Sequence, residues 1–178
     1  MNRIFLALCF LMLSVTMAAQ ALKVSNADSK IWFVIKNLGV NVDGTLQGLK
    51  GKINFDPTNP ATSVFDVTVD VSTINTNNQR RDKHLKSDDY FDVAKYPVMR
   101  FASSQIVAKG GNHYKAIGTL TIKNVSKKVG IDFTATPSAK TYTFTGSFTI
   151  NRRDFGVGGN SMIMDDMVSV HLNAVAAK

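Results

Sequence analysis

The 178-residue chain contains no glutamate and only one cysteine, Cys9. All 13 of its acidic residues are aspartate, against 21 lysines and arginines, which gives a formal net charge of +8. Glu favours helices, whereas the abundant Thr, Val, Ile and Phe favour strands, so the composition indicates a β-rich fold. A single cysteine excludes an intramolecular disulfide, and the core and the strand ladder must therefore hold the fold.

The motifs of the common catalytic and nucleotide-binding chemistries are also missing. The chain has no Gly-x-Ser-x-Gly elbow, no phosphate-binding loop and no GxGxxG. Its three histidines, at positions 84, 113 and 171, are too far apart in sequence to resemble a metal-ligand motif. The neighbouring acids at 88–89 and 165–166 are typical of solvated loops. We therefore predict a protein that is not an enzyme and holds neither a metal nor an organic cofactor.

The positive charge is scattered along the chain. Only short clusters occur, at Arg80-Arg81, Lys127-Lys128 and Arg152-Arg153. This distribution argues against a nucleic-acid partner and is better suited to an anionic membrane surface or a phosphate head group.

Residues 1–21 have the composition of a cleaved signal peptide. Arg3 precedes an apolar run over 4–15, and the small-x-small pattern of 19–21 predicts cleavage after Ala21. The run is too short for the roughly 20 residues that a membrane-spanning helix needs. The sequence thus predicts an exported chain in which 22–178 form one domain.

Alternation of apolar and polar residues is the dominant pattern of this domain. In 141–150, every odd position is a small hydroxyl residue and every even one is apolar or Gly, which predicts a strand with one wet and one apolar face. Similar strands are expected at 31–38, 40–55, 65–71, 98–107, 114–123, 127–136, 141–151 and 167–175. The apolar face of 40–55 slips by one residue near Gly48, which predicts a bulge there, with a tight hairpin as the alternative. With the bulge, the eight strands form an antiparallel barrel closed by short turns.

Two segments depart from this pattern. Residues 75–97 are polar, and Arg81, Leu85 and Asp88 fall at helical spacing, so we expect one or two short helices capping one end of the barrel. Ser87 is predicted to be the N-cap of a helix. Residues 152–159 are interpreted as a strand end followed by a mobile glycine-rich loop.

Several short motifs in register resemble those of the YceI-like family of bacterial periplasmic proteins. They are Phe33-Val34-Ile35-Lys36-Asn37-Leu38-Gly39, Arg81-Asp82-Lys83-His84-Leu85, Phe91-Asp92, Tyr96-Pro97, Phe101, Gly118-Thr119-Leu120-Thr121-Ile122 and Arg153-Asp154-Phe155-Gly156. The resemblance covers essentially all of the chain after residue 21.

This resemblance implies an all-β, lipocalin-like barrel in the periplasm with a short helical insertion. Its apolar tunnel would bind a polyisoprenoid or another long amphiphile, such as an isoprenoid quinone or a polyprenyl phosphate, for transport or storage. Family members with a His before the Leu-Gly pair differ from this chain, which has Asn37 there. The difference removes any imidazole at that position.

The candidate site combines the repeated apolar face with polar residues near the helical insertion. The expected wall residues are Phe33, Ile35, Phe65, Val67, Val69, Leu85, Phe91, Phe101, Leu120, Ile122, Phe133, Tyr142, Phe144 and Phe148. The expected head-group residues are Asn37, Arg81, Asp82 and His84. Arg81 has an alternative structural role, in which it pairs with Asp82, Asp88 or Asp92.

Two other functions are compatible with the sequence. The side chains of the same alternating face could pack into a solid core without a cavity, and the protein would then be an exported interaction module. A barrel enzyme that isomerises or cyclises a bound lipid is the second alternative. The expected partner is an isoprenoid or acyl lipid, with a transient membrane-surface contact and a dimer as further options.

Overall fold

Eight antiparallel strands pair in chain order and close into a barrel, because β1 pairs with both β2 and β8. This computed structural model describes residues 21–178, so Cys9 and the apolar run of the predicted signal peptide lie outside the described residues. The strands are β1 (Ala21–Asn37), β2 (Val40–Asn54), β3 (Val64–Asn75), β4 (Val98–Gly110), β5 (His113–Ile122), β6 (Val125–Pro137), β7 (Thr141–Asn151) and β8 (Met167–Ala177). The predicted fold class is confirmed.

The predicted bulge in β2 is present, and the hairpin alternative is wrong. The register between β2 and β3 shifts on both sides of Gln47, and Gly48 has φ +78°, a left-handed value that favours glycine. The backbone N–H groups of Gly48 and Leu49 donate to Asn26 Oδ1 at 2.7 and 3.0 Å. A side chain of β1 thus replaces the ladder bonds that the bulge removes.

Strand β1 begins ten residues earlier than the predicted start at Ile31. Residues 25–30 are mostly polar and lack a period of two, and here the register of β1 shifts against both neighbours. Side chains again complete the pairing, since Val175 N donates to Ser29 Oγ at 3.0 Å. The sequence pattern failed at this segment because the strand bends there.

Aromatic rings fill one end of the barrel, which we call the plugged end and which comprises the turns at 55–63, 110–113 and 137–141. The Phe55 ring lies 5.1 Å from Tyr114, 5.4 Å from Tyr142 and 5.3 Å from Phe144, each in edge-to-face geometry. The apolar tunnel that the family resemblance implies therefore does not run the whole length of the barrel.

The opposite end, the open end, comprises the segments 37–40, 76–97, 122–125 and 152–166. Helix α1 (Gln79–Leu85) lies here and starts at Asn78, whose side chain accepts from Arg81 N at 3.0 Å. Ser87 is not an N-cap, since its hydroxyl donates to His84 O at 2.8 Å beyond the end of α1. No second helix forms in 86–97, and the other helical segments of the described chain are the 3₁₀ turns Pro60–Thr62 and Arg152–Phe155. Within residues 21–178, no helix has the length and apolarity needed to cross a membrane.

Candidate functional site

The inner face of the barrel encloses a cavity of about 250 Å³ between the aromatic plug and the open end. Several wall side chains, including Phe33, Ile35, Val67 and Phe148, point inward yet are only half-buried. An inward-facing side chain in a closed barrel keeps accessible surface only where no neighbour fills the space beside it. The cavity is therefore a real gap in an otherwise close-packed interior, and its walls are almost entirely apolar.

The structure places thirteen of the fourteen predicted wall residues around this cavity. Tyr142 is the exception, because it packs against Phe55 and Phe144 in the plugged end, with Lys178 Nζ 4.8 Å from its ring centre. Leu85 and Phe91 reach the wall from the helical insertion and pack against a second small cluster formed by Leu46, Val69 and Ile74. The insertion therefore supplies part of the wall.

Gly44 makes room for the ring of Phe33, its neighbour on β1. A Cβ added at Gly44 would overlap three atoms of that ring. Because Phe33 lines the cavity, a glycine on one strand sets how far a wall ring reaches into the open space.

We expect Gly44→Ala to push the Phe33 ring into the cavity and to cost about 1 kcal/mol of stability by overpacking. Binding of a long-chain ligand should weaken, while Gly44→Ala combined with Phe33→Leu should recover binding because the smaller side chain clears the added methyl. Titration of both variants with a fluorescent long-chain probe checks this. Undiminished binding by the single variant would contradict the role of Gly44.

Arg81 lies in the cavity wall at the open end, and its guanidinium donates hydrogen bonds to Thr76. Nε donates to Thr76 Oγ1 at 2.7 Å and Nη2 to Thr76 O at 2.8 Å. The expected structural pairing with Asp82, Asp88 or Asp92 is wrong, since no carboxylate of the described residues forms an ion pair with Arg81. A cation without an acidic partner thus borders an apolar cavity.

Asp82 and His84 do not reach the cavity wall. Asp82 Oδ1 accepts from Thr76 N at 2.8 Å and from Thr76 Oγ1 at 2.6 Å, which leaves that hydroxyl oxygen free to accept from Arg81. Asp82 therefore positions Arg81 through Thr76. His84 is exposed, and its ring lies 4.8 Å from the ring of Tyr90.

Asn37 borders the same cavity at the end of β1. Its Oδ1 is buried and has no hydrogen-bond partner among the described residues. A buried carbonyl oxygen without a donor carries a desolvation cost, which a donor group entering the cavity would relieve.

Arg152 is a second wall cation, which the sequence interpretation overlooked. It is only 4% exposed, and it donates to Val157 O at 2.9 Å, Gly159 O at 3.0 Å and Asp165 O at 3.1 Å. Its Nη2 pairs with Asp166 Oδ1 at 2.8 Å. The predicted mobile loop is therefore fastened to a buried guanidinium, and Asp166 is not simply solvated.

Arg100 has a different role, although it contributes to the wall. Its guanidinium makes two 2.8 Å bonds to the carboxylate of Asp66 on the neighbouring strand. The hydrogen bond from Arg100 lowers the pKa of Asp66 from its ordinary value, and the same bond raises the pKa of Arg100. Arg100 is thus already paired and exposed, which leaves Arg81 as the wall cation without a carboxylate.

The cavity wall offers little for catalysis. Among the described residues that line it, there is no Asp, Glu, His, Cys, Lys or Ser. Residues 21–178 also contain no group of three or more His, Cys, Asp or Glu placed to hold a metal ion. The arrangement suits binding of a long apolar molecule with a small polar end.

The protein is therefore a small antiparallel β-barrel of eight strands with an apolar cavity inside it. Residues 22–176 match the YceI-like domain, and the chain belongs to that family. This confirms the resemblance detected in the sequence motifs.

Similar proteins occur in several bacteria. A UPF0312 protein of Photorhabdus laumondii is 41% identical over 100 residues, which cover 56% of this chain and 52% of that protein. The chain thus matches about half the length of that relative. A UPF0312 protein of Pseudomonas savastanoi is 34% identical over 134 residues, covering 71% of this chain and 70% of its own.

Solved structures show the same barrel. Burkholderia cenocepacia BcnA superposes with a TM-score of 0.82 at 31% identity, covering 86% of this chain and 99% of that one. A polyisoprenoid binding domain from Saccharophagus degradans, implicated in plant cell wall breakdown, superposes with a TM-score of 0.69 at 15% identity, covering 88% and 97%. The latter likeness concerns the fold alone.

Proposed function

We propose that this chain is a periplasmic lipid-binding protein that holds a polyisoprenoid or a similar long-chain amphiphile in its cavity for transport or storage. The observation that carries the proposal is the unfilled apolar cavity, closed by aromatic rings at one end and bordered by Arg81 at the other. Each methylene transferred from water into such a site is worth about 0.8 kcal/mol, so a long chain has a large gross driving force. The predicted signal peptide supports export.

The polar end of the ligand belongs at the open end. Nη1 of Arg81 donates to no acceptor among the described residues, and Asn37 Oδ1 accepts from none. Together they offer donors with a positive charge and one acceptor. A phosphate that retains a proton, or a quinol with its hydroxyl groups, presents the complementary set.

Binding without chemical conversion fits this wall better than the enzyme alternative does. The lining residues of the described chain include no acid or histidine that could move a proton in the lipid. The solid-core alternative is disfavoured by the cavity itself, since only the plugged end is filled.

The direct test is native mass spectrometry of the purified protein, followed by organic extraction of any bound lipid. A co-purifying long-chain lipid, and thermal stabilisation on adding a prenyl phosphate or a quinone, are expected because such a ligand binds only the folded state. Absence of both results would overturn the proposal.

Arg81→Gln should weaken the binding of a prenyl phosphate about tenfold or more, since it removes a charge-assisted hydrogen bond to the head group. Binding of a prenyl alcohol of equal chain length should change far less. Arg80→Gln is the matched control, because Arg80 is an exposed neighbour on α1 that does not line the cavity. Equal losses for phosphate and alcohol would argue against Arg81 as the head-group residue.

A further inference from the structure

Large apolar side chains are exposed mainly at one end of this barrel. Six of the seven such residues in the described chain lie at the open end, and Val64 alone lies at the plugged end. Five of the six form what we call the rim patch, which consists of Leu38, Val40, Met162, Ile163 and Met167. Leu38 is 71% exposed and Met162 is fully exposed at 104%.

Backbone hydrogen bonds join the two loops that carry most of the rim patch. The β1–β2 turn and the loop at 162–165 are joined like paired strands, with Leu38 N donating to Ile163 O at 2.6 Å and Asp165 N to Lys36 O at 2.9 Å. A β-bridge between Asn37 and Met164 lies between these bonds. Two separate loops therefore present their apolar side chains together on a hydrogen-bonded support.

Leu38 has a backbone conformation that does not suit a leucine. Its φ is +52°, in the left-handed region where Gly and Asn are favoured and a bulky side chain is strained. Its exposed side chain gains little packing within the chain to offset this strain. The two-residue turn between the paired Asn37 and Val40 imposes a positive φ on both Leu38 and Gly39, so the turn accounts for the conformation, whereas no contact within the described chain accounts for the exposure.

The rim patch adjoins the cavity. Asn37 and Met164, which flank Leu38 and Ile163 in sequence, both line the cavity wall. A hydrocarbon chain lying against the rim patch could thus enter the cavity over apolar surface.

The net charge of the described domain favours an anionic partner. Residues 21–178 carry 20 Lys and Arg against 13 Asp, an excess of seven positive charges, to which the open end itself contributes one. An apolar patch on a domain of net positive charge is a combination by which peripheral proteins bind anionic bilayers.

We propose that the rim patch inserts into the surface of an anionic lipid bilayer, so that the open end docks on the membrane from which lipid is drawn. The purpose of docking rests on the proposed lipid-binding function, but vesicle binding can be measured whether or not the cavity holds a lipid. Leu38 and Met162 are its main apolar anchors, and the net positive charge of the domain draws it towards an anionic surface.

Co-sedimentation of the purified protein with vesicles tests this docking surface. Binding should be stronger to phosphatidylcholine vesicles containing phosphatidylglycerol than to phosphatidylcholine alone, and should weaken as salt rises. Leu38→Asn and Met162→Ser should each reduce partitioning about tenfold, since each withdraws one large apolar side chain from the bilayer. Val64→Ser, at the plugged end, should leave partitioning unchanged.

Folding and ligand binding are separate readouts in the same variants. Leu38→Asn should keep or raise thermal stability, because Asn tolerates the left-handed conformation. Both rim variants should still bind a prenyl phosphate added from ethanol.

If the unmodified protein does not bind vesicles, or if the rim variants bind them as well as the unmodified protein does, docking is overturned. A dimer that dissociates in Leu38→Asn would assign the rim patch to a second copy of this chain, whereas loss of ligand binding in every protein would overturn only the proposed function.

Discussion

Val170→Trp should abolish binding of a long-chain ligand, with a loss of affinity of at least about a hundredfold. Val170 lies on the inner face of β8, paired with Phe33 on one side and Phe148 on the other, and all three line the cavity. An indole at this level would occupy the space between the open end and the deeper wall. Excluding about five methylenes at 0.8 kcal/mol each removes roughly 4 kcal/mol of gross driving force, so a hundredfold loss is a conservative expectation.

The fold should tolerate this substitution, because the indole enters existing space and fills part of a void that contributes no packing. Val175→Trp is the matched control on the same strand, since alternation directs Val175 to the outer face. Isothermal titration with a prenyl phosphate, together with thermal unfolding, separates the two effects. Tight binding retained by a folded Val170→Trp protein would show that the cavity is not where the ligand chain lies.

Alternation in the sequence predicted which face of each strand turns inward, and this accounts for most of the fold. The bounds of β7, Thr141–Asn151, agree with those predicted, and the slip of phase at Gly48 is the bulge that was expected. Local pattern suffices in such cases because one buried face fixes the register.

Alternation does not encode depth along the barrel. Tyr142 and Phe148 share the inner face of β7, but Tyr142 lies in the aromatic plug whereas Phe148 borders the cavity. Which level is filled depends on the summed volumes of side chains from all eight strands. A single strand carries no signal for that sum, and the extent of the cavity therefore could not be predicted from the sequence.

The polar parts of the site were only partly predictable for a related reason. Arg81 was recognised by its motif, but the oxygens that hold it belong to Thr76, a residue with no distinctive local signal. Arg152 was interpreted as a strand end because its acceptors lie 5 to 14 residues further along the chain, in a loop without period. These roles arise from how the chain folds back, and spacing does not contain that information.

Arg152→Met should lower the melting temperature by about 10 °C, the second large effect that the structure predicts. The substitution keeps a long side chain but leaves three carbonyl acceptors and the carboxylate of Asp166 without the buried guanidinium. Breaking a buried, hydrogen-bonded pair costs about 3–5 kcal/mol, and each kcal/mol shifts melting by about 2–4 °C in a domain of this size.

Arg153→Met is the matched control for this substitution, since Arg153 is 45% exposed and contacts Asp166 only at 3.4 Å. It should cost less than about 1 kcal/mol, as exposed ion pairs do.

Asp166→Asn should be destabilising by itself, yet the double variant with Arg152→Met should lose less than the two single losses combined, because the residues form one network. Hydrogen exchange in 157–166 should accelerate in Arg152→Met before the strands respond, since the guanidinium fastens that loop to the barrel. Equal stability of Arg152→Met and Arg153→Met would contradict this role, and the open end would then owe its shape to the Asn37–Met164 bridge instead.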